Sequence, residues 1–354
     1  MPSANRPRSQ ARKGVQLNRF TPLLLLLIGC TSQPAPAPFV PGVPTDHLNV
    51  AAVVQAQYPA TFQDAAGLTE EQSAANATRN VRMWGPGVNY WVGPQLIGDC
   101  TAHGGAHVVQ ALRWKQSGGR ASGLVSTLYL YPLARRDGGF RLRIPCRSDG
   151  GYPSYLAHNW EQHGYLLEGE AGLPAYSAAA ATAAGCNSPS REQLTAGKKR
   201  AGGKAQPITD VKAWRNAICA GYPCTVAIPW KPGKTYVVDG KRCIRFDGRN
   251  LGGHQISSIG YDGSSGKPFW FLLNSHGTSW PTNAPPLGDE PRGGVWVDEK
   301  WAQWIVDNGE IWAFSELPEF SAEPLDLTIF DAVSRVDEPA DGRRVSIAKT
   351  TLAP

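Results

Sequence analysis

Charge is scarce in this chain. Charged residues fill 18% of its 354 positions, against roughly a quarter in ordinary soluble proteins. No basic stripe interleaved with aromatics occurs, which argues against nucleic acid as a partner. The net charge of +6 does not change this, because part of the excess sits in the N-terminal arm and in the run GKKRAGGK. The apolar stretch Leu23 to Ile28 is too short to cross a bilayer as a helix. Metal-ligand spacing is also missing from all but one cluster of Cys and His. What the chain has in plenty is glycine (39) and proline (29), which suits a loop-rich exported fold better than a helical bundle. With 42% hydrophobic residues, it can bury one large core or two modest ones.

The first thirty residues read as an export signal. Arg6, Arg8, Arg12, Lys13 and Arg19 precede the apolar stretch, and the small Gly29 follows it. Leu27-Ile28-Gly29-Cys30 resembles a bacterial lipobox, in which the cysteine is acylated and becomes the mature N-terminus. On that reading Cys30 anchors the protein to a membrane, and TSQPAPAPFVPGVP is an extended Pro-rich tether. The plainer reading is an ordinary secretory signal, giving a secreted or periplasmic protein. Setting aside Cys30 and Cys100, five cysteines remain (Cys146, Cys186, Cys219, Cys224, Cys243), so two disulfides at most can form, with one thiol left over.

Along the chain, residues 45 to 85 have few periodic apolar runs and read as an ordered leader or a short pro-region. Cys100 to about Gln116 has helical composition, with Val108, Val109, Leu112 and Trp114 in its second half. A second helix is expected within Gly151 to His163. From Tyr176 to Pro207 the Ala-, Gly- and Lys-rich composition predicts an insertion loop. A helix from Ile208 to Ala220 then leads into strands at CTVAIPW, GGHQISSIGYDG and PFWFLLNSHG. GGVWVDEKWAQWIVDNGEIWAFSEL closes the sheet, and the tail beyond Leu317 is expected to pack loosely.

Three distant segments carry the chemistry: GPQLIGDCTAHGG around Cys100, GGHQISSIGYDG around His254, and FWFLLNSHGTSW around Asn274. A thiol that attacks a carbonyl needs an imidazole to take its proton, and that imidazole needs a partner to fix its tautomer. Cys100, His254 and Asn274 fill these places in chain order. Cys100 at the first turn of a helix would feel its positive end, which favours thiolate. A protonated His254 nearby would favour it further.

These segments resemble the papain-like (C1) cysteine peptidases. In that family the histidine follows the cysteine by roughly 130 to 150 residues and an asparagine comes later. Here the gaps are 254 − 100 = 154 and 274 − 254 = 20. NSHGTSW resembles the family's Asn-Ser-Trp-Gly-Thr-x-Trp stretch, and HQISSIGYDG its histidine strand followed by Gly-Tyr-Asp. Weaker likenesses in between extend the resemblance from about residue 80 to about residue 316, and suggest a divergent bacterial type. It implies an α+β, two-lobed papain-like fold: a helical lobe and a barrel-like antiparallel β lobe with the active cleft between them. It also implies hydrolysis of protein or peptide substrates through a thioester, with no cofactor and no metal. The domains expected are a signal over 1–30, linker and leader over 31–84, the peptidase over 85–316 and a tail over 317–354.

The sequence departs from the family at several places. The family's oxyanion glutamine lies six residues before the cysteine; here Gln95 lies five before it and Pro94 takes the sixth place. Thr101 stands where the family has an aromatic. His276 stands where its tryptophan covers the bond between asparagine and histidine, and a polar cover would admit water. Asp99 sets a negative charge beside the thiol, which works against thiolate. These departures support a second reading, a catalytically impaired papain-fold binding or scaffolding protein at the cell surface. A third is a related acyl transferase or isopeptidase. Cys100, His103 and His107, at i, i+3 and i+7 of one helix, form a rival zinc-binding constellation to which His254 could add a ligand.

Overall fold

The computed structural model describes residues 42–57, 70–85, 93–282, 286–315 and 317. The export signal, Cys30 and the tail beyond Leu317 lie outside the described residues. Those described fall within one compact unit, residues 36–354.

Nine helices order the described chain: α1 (His47–Gln57), α2 (Glu70–Asn76), α3 (Cys100–Gln116), α4 (Thr127–Ala134), α5 (Pro153–His163), α6 (Ala178–Cys186), α7 (Arg191–Lys198), α8 (Val211–Ala220) and α9 (Glu299–Asn308). The strands are β1 (Asn80–Arg82), β2 (Lys204–Ile208), β3 (Cys224–Pro229), β4 (Thr235–Val238), β5 (Lys241–Ile244), β6 (Gly253–Asp262), β7 (Phe269–Leu273), β8 (Gly294–Asp298) and β9 (Glu310–Ser315). They form one sheet in the order β2-β9-β3-β6-β7-β8-β5-β4, with β1 also paired to β6. Its pairings are antiparallel except for a single parallel bridge between β5 and β8. The architecture is therefore mixed α+β, helices with one large and mostly antiparallel sheet, as the sequence predicts.

Two apolar cores fill it. One lies within the sheet side around Trp214, Ile256, Trp270, Phe271 and Trp296. The other joins α3, α4 and α5 through Leu112, Leu130, Leu156 and Trp160, with Phe314 of β9 packed among them. Helix α3 joins the halves because glycine lets it approach closely on both sides. A Cβ at Gly104 would lie 2.9 Å from the Gln255 side chain of β6, and one at Gly105 would lie 2.5 Å from Leu156 of α5.

Residues 176–207 are not the loop that their composition suggests. Ser177 caps α6 by accepting from the Ala180 amide, and Ser190 and Gln193 form a reciprocal capping box on α7. Between the caps, alanine carries the helix at little entropic cost. The stretch ends in β2, where Pro207 is tolerated because β2 is an edge strand. Helix α8 begins at Val211 rather than Ile208, since Asp210 caps it by accepting from the Ala213 amide.

The described residues 42–57 and 70–85 are built into the fold. Ser73 and Asn76 of α2 hydrogen-bond Asn216 of α8, and Val81 of β1 pairs with Tyr261. On α1, Asp46 just before the helix accepts from the Tyr152 hydroxyl at 3.1 Å.

Glu310 is a buried carboxyl in β9, accepting from Trp312 Nε1 at 2.6 Å. Burial pushes its pKa up to about 8. Because that lies above the value of an exposed glutamate, the stabilisation is full at acidic pH and is lost as pH rises through about 8. Glu310→Gln keeps the shape and the acceptor. It is expected to flatten a loss of stability of about 1.4 kcal/mol per pH unit between about pH 5 and 8. Thermal unfolding across that range reads the effect, and an unchanged slope would contradict it.

All six cysteines among the described residues are reduced. Cys146 and Cys186 are neighbours: Sγ of Cys186 lies 3.4 Å from the Cys146 carbonyl, and Sγ of Cys146 lies 3.9 Å from that of Cys186. A hydrogen bond with the Cys146 thiol raises the pKa of Cys186. Cys219, Cys224 and Cys243 instead donate to the carbonyls of Asn76, Tyr222 and Lys241. Oxidised glutathione is therefore expected to exchange into a Cys146–Cys186 disulfide. Non-reducing peptide maps check this, and a link through any of the other three would contradict it.

Candidate active site

Four residues singled out in the sequence meet at one place, where the start of α3, the start of β6 and the end of β7 converge. Cys100 is the first residue of α3. Its Sγ accepts from the Gln255 amide at 3.3 Å, which sets the thiol one residue from His254 along β6. The His254 ring places Nε2 2.8 Å from Asn274 Oδ1, and the same oxygen accepts from the Ser275 amide at 2.7 Å. An oxygen that already accepts one N–H calls for another from the imidazole. The neutral ring therefore carries its proton on Nε2, and Nδ1 is the basic nitrogen.

Gln95 is tied to the same corner. Its amide donates to the Ser275 carbonyl at 2.9 Å, Ser275 Oγ donates to its Oε1 at 2.5 Å, and its Nε2 donates to the Ile97 carbonyl at 3.2 Å. A loop one residue shorter than the family's thus still brings Gln95 beside the asparagine. Tyr176, which sequence reasoning passed over, holds that loop from the helical side. Its hydroxyl accepts from the Leu96 amide at 3.0 Å and donates to Asp99 Oδ2 at 2.8 Å.

The expected thiolate is not what this arrangement favours. Cys100 is fully buried, and its pKa is pushed up to about 12, chiefly by desolvation and further by the Asp99 charge. The Gln255 N–H opposes this without overcoming it. His254 is lowered well below the ordinary histidine value by burial and by His276, with Asn274 opposing. Desolvation outweighs the helix end, so the pair is thiol and neutral imidazole here.

The reason is the stretch read as a tether, whose end is docked in the cleft. Gly42 and Val43 both donate to the Gly253 carbonyl, at 3.1 and 3.2 Å, and the Gly42 carbonyl accepts from the Gly151 amide at 2.8 Å. Thr101 Oγ1 lies 3.1 Å from the Gly151 carbonyl and 3.4 Å from that of Gly42. The small residue at 101 thus binds backbone where a larger ring would fill the space. Val43, Cys100 and Ala227 form a small apolar cluster of their own.

His276 does not open the site to water. Its ring stacks on His254 at 4.5 Å, and Trp230 lies edge-on to both, at 4.6 Å from His254 and 5.6 Å from His276. Burial lowers its pKa to about 4, so it packs as a neutral aromatic, and His254 and Asn274 stay at 0% exposure. The zinc constellation also fails to form. His103 approaches Asp99 at 3.6 Å, and no group of three or more His, Cys, Asp or Glu is placed to hold a metal among the described residues.

Residues 143–284 match a family model described as papain family cysteine protease. Over that stretch the chain resembles the papain family. The matched stretch holds His254 and Asn274, while Cys100 and Gln95 lie before it. No curated protein matches the chain. Among solved structures it is similar to xylellain, a cysteine protease from Xylella fastidiosa, at 15% identity and a TM-score of 0.45, over 73% of this chain and 91% of that one. It is also similar to the proform of the ragweed pollen allergen Amb a 11, a cysteine protease, at 17% identity and 0.45, over 76% and 75%. A third is procathepsin B S9 from Trypanosoma congolense, at 15% and 0.44, over 73% and 85%. The papain-like match supports cysteine peptidase activity in general. No helix among the described residues is long and apolar enough to cross a membrane.

Proposed function

We propose that this papain-like chain hydrolyses peptide bonds with Cys100 as nucleophile, His254 as general base and acid, and Asn274 as the residue that orients His254. The observation that carries this is the 2.8 Å contact of His254 Nε2 with Asn274 Oδ1, which leaves Nδ1 as the basic nitrogen one residue from the amide bound to Cys100 Sγ. In acylation the Cys100 sulfur bonds to the substrate carbonyl carbon and its proton passes to His254 Nδ1. His254 returns that proton to the leaving amine as the C–N bond breaks, giving a thioester. Water then attacks with His254 as base, and the S–C bond breaks to restore the thiol. The Cys100 amide and the Gln95 side chain meet charge on the carbonyl oxygen.

In this reading Gly42–Pro44 must leave the cleft before a substrate enters, and hydration of the exposed thiol then lowers its pKa. The protein is exported, with acylated Cys30 as its anchor. One observation favours the second reading, a binding protein without turnover: the thiol is sealed and pushed up to about 12. Hydrolysis of a denatured protein separates the two. Cleavage by the full chain, lost in Cys100→Ala, is the expected result. No cleavage by folded wild type or by Gly42→Val supports the binding reading.

A further inference from the structure

The peptide already lying in the cleft shows what the space over the nucleophile admits. Gly42 is pinned there through the Gly253 carbonyl on one wall and the Gly151 amide on the other, with the Thr101 hydroxyl 3.4 Å from its carbonyl oxygen. A Cβ at Gly42 would fall 2.4 Å from Cys100 Sγ, 2.7 Å from the Gly98 carbonyl oxygen and 2.9 Å from its carbon. Gly98 cannot retreat easily, since its amide is bound to Asp149 Oδ2 at 3.1 Å and the next residue but one is Cys100 itself. The opposite wall is as close: a Cβ at Gly253 would meet the Val43 carbonyl oxygen at 2.3 Å. The passage is therefore cut to the width of a bare backbone at the reacting sulfur.

The pose itself is unreactive. The Gly42 carbonyl is bound by the Gly151 amide and the Thr101 hydroxyl, and the Val43 carbonyl oxygen lies against Gly253. Swinging a carbonyl at the Gly42 position towards Gln95 is a rotation about the torsions of one residue, and glycine is the residue least restricted in making it.

Resting on the peptidase reading above, we propose that the acyl-donor subsite is reserved for glycine: the substrates are peptides or isopeptides cleaved after a glycyl residue. The residue presenting its carbonyl to Cys100 occupies the space now held by Gly42, and walls made by the nucleophile and by backbone exclude even a methyl group.

The test uses two acetylated tripeptide aldehydes, identical except for glycinal or alaninal at the end, as protectants of Cys100 in the full chain. The aldehyde carbon bonds to Sγ and the thiol proton moves to the aldehyde oxygen, giving a reversible hemithioacetal. Protection is read as slowed labelling of Cys100 by a thiol-directed epoxide. The leader competes equally with both aldehydes, so the ratio of their inhibition constants isolates the subsite. One methyl group in a tight pocket discriminates by about 10- to 200-fold, and that preference for glycinal is the expected result. Constants equal within about threefold, a preference for alaninal, or no protection by either while the epoxide labels would overturn the proposal. No epoxide labelling of Cys100 at all would instead overturn the peptidase reading, and this proposal with it.

Discussion

Replacing His254 by alanine is expected to slow acylation of Cys100 by a peptide substrate by about 10⁴-fold or more, the scale seen when a member of a nucleophile–base unit is removed. The size of the effect follows from the ionisation of the site. Burial raises the pKa of the Cys100 thiol and lowers that of His254. Once the leader departs, the thiol falls toward the ordinary cysteine value of about 8.5, at which it is still mostly protonated at neutral pH, so its proton must be taken during attack. In the proposed mechanism Nδ1 of His254 takes it, because Nε2 contacts Asn274 Oδ1. Without the ring, only oxyanion stabilisation and binding remain. The burst of acyl-enzyme in single-turnover experiments checks this, and a loss below about tenfold would contradict it.

Gly42→Val is expected to speed alkylation of Cys100 by about 10- to 100-fold. The new side chain would collide with Sγ and with the Gly98 carbonyl, at 2.4 and 2.7 Å from its Cβ. Overpacking of this kind costs about 1 to 3 kcal/mol, and each 1.4 kcal/mol shifts the open population about tenfold. The anchor between Asp46 and Tyr152 lies outside the collision, so the leader loosens at the cleft while α1 stays docked. Because exposure removes the desolvation that raises the thiol, the pH midpoint of alkylation is expected to fall from the value near 12 at the same time. Rates with iodoacetamide across pH, for wild type and variant, read both effects. An unchanged rate would show that Gly42 does not guard the thiol.

The residues proposed for this site stand in short segments in a fixed order, and the structure brings those segments together. Cys100, His254 and Asn274 announced themselves by neighbouring glycines and apolar strands, and α3 occupies the predicted span. Gln95, singled out despite the shortened loop, lies against Ser275. What escaped was set by long-range backbone contact. Nothing in a Pro-rich stretch says that Gly42 will pair with Gly253 and Gly151, and composition alone hid the caps at Ser177 and Ser190 behind alanine and lysine. Tyr176 gave no signal, since its role depends on a loop eighty positions earlier in the chain. His276 was misread from its polarity; burial keeps it neutral and lets it pack against His254 and Trp230. The ionisation of Cys100 was misjudged for a related reason: a helix end is visible in sequence, and the peptide that buries it is not.

The most direct measurement is to incubate the full chain with a peptidyl epoxide under reducing conditions and locate the adduct by mass spectrometry, beside Gly42→Val and His254→Ala. The account predicts one adduct on Cys100, formed faster in Gly42→Val and lost in His254→Ala. Labelling that spreads to Cys146 and Cys186 while sparing Cys100, or that persists at Cys100 without His254, would contradict it.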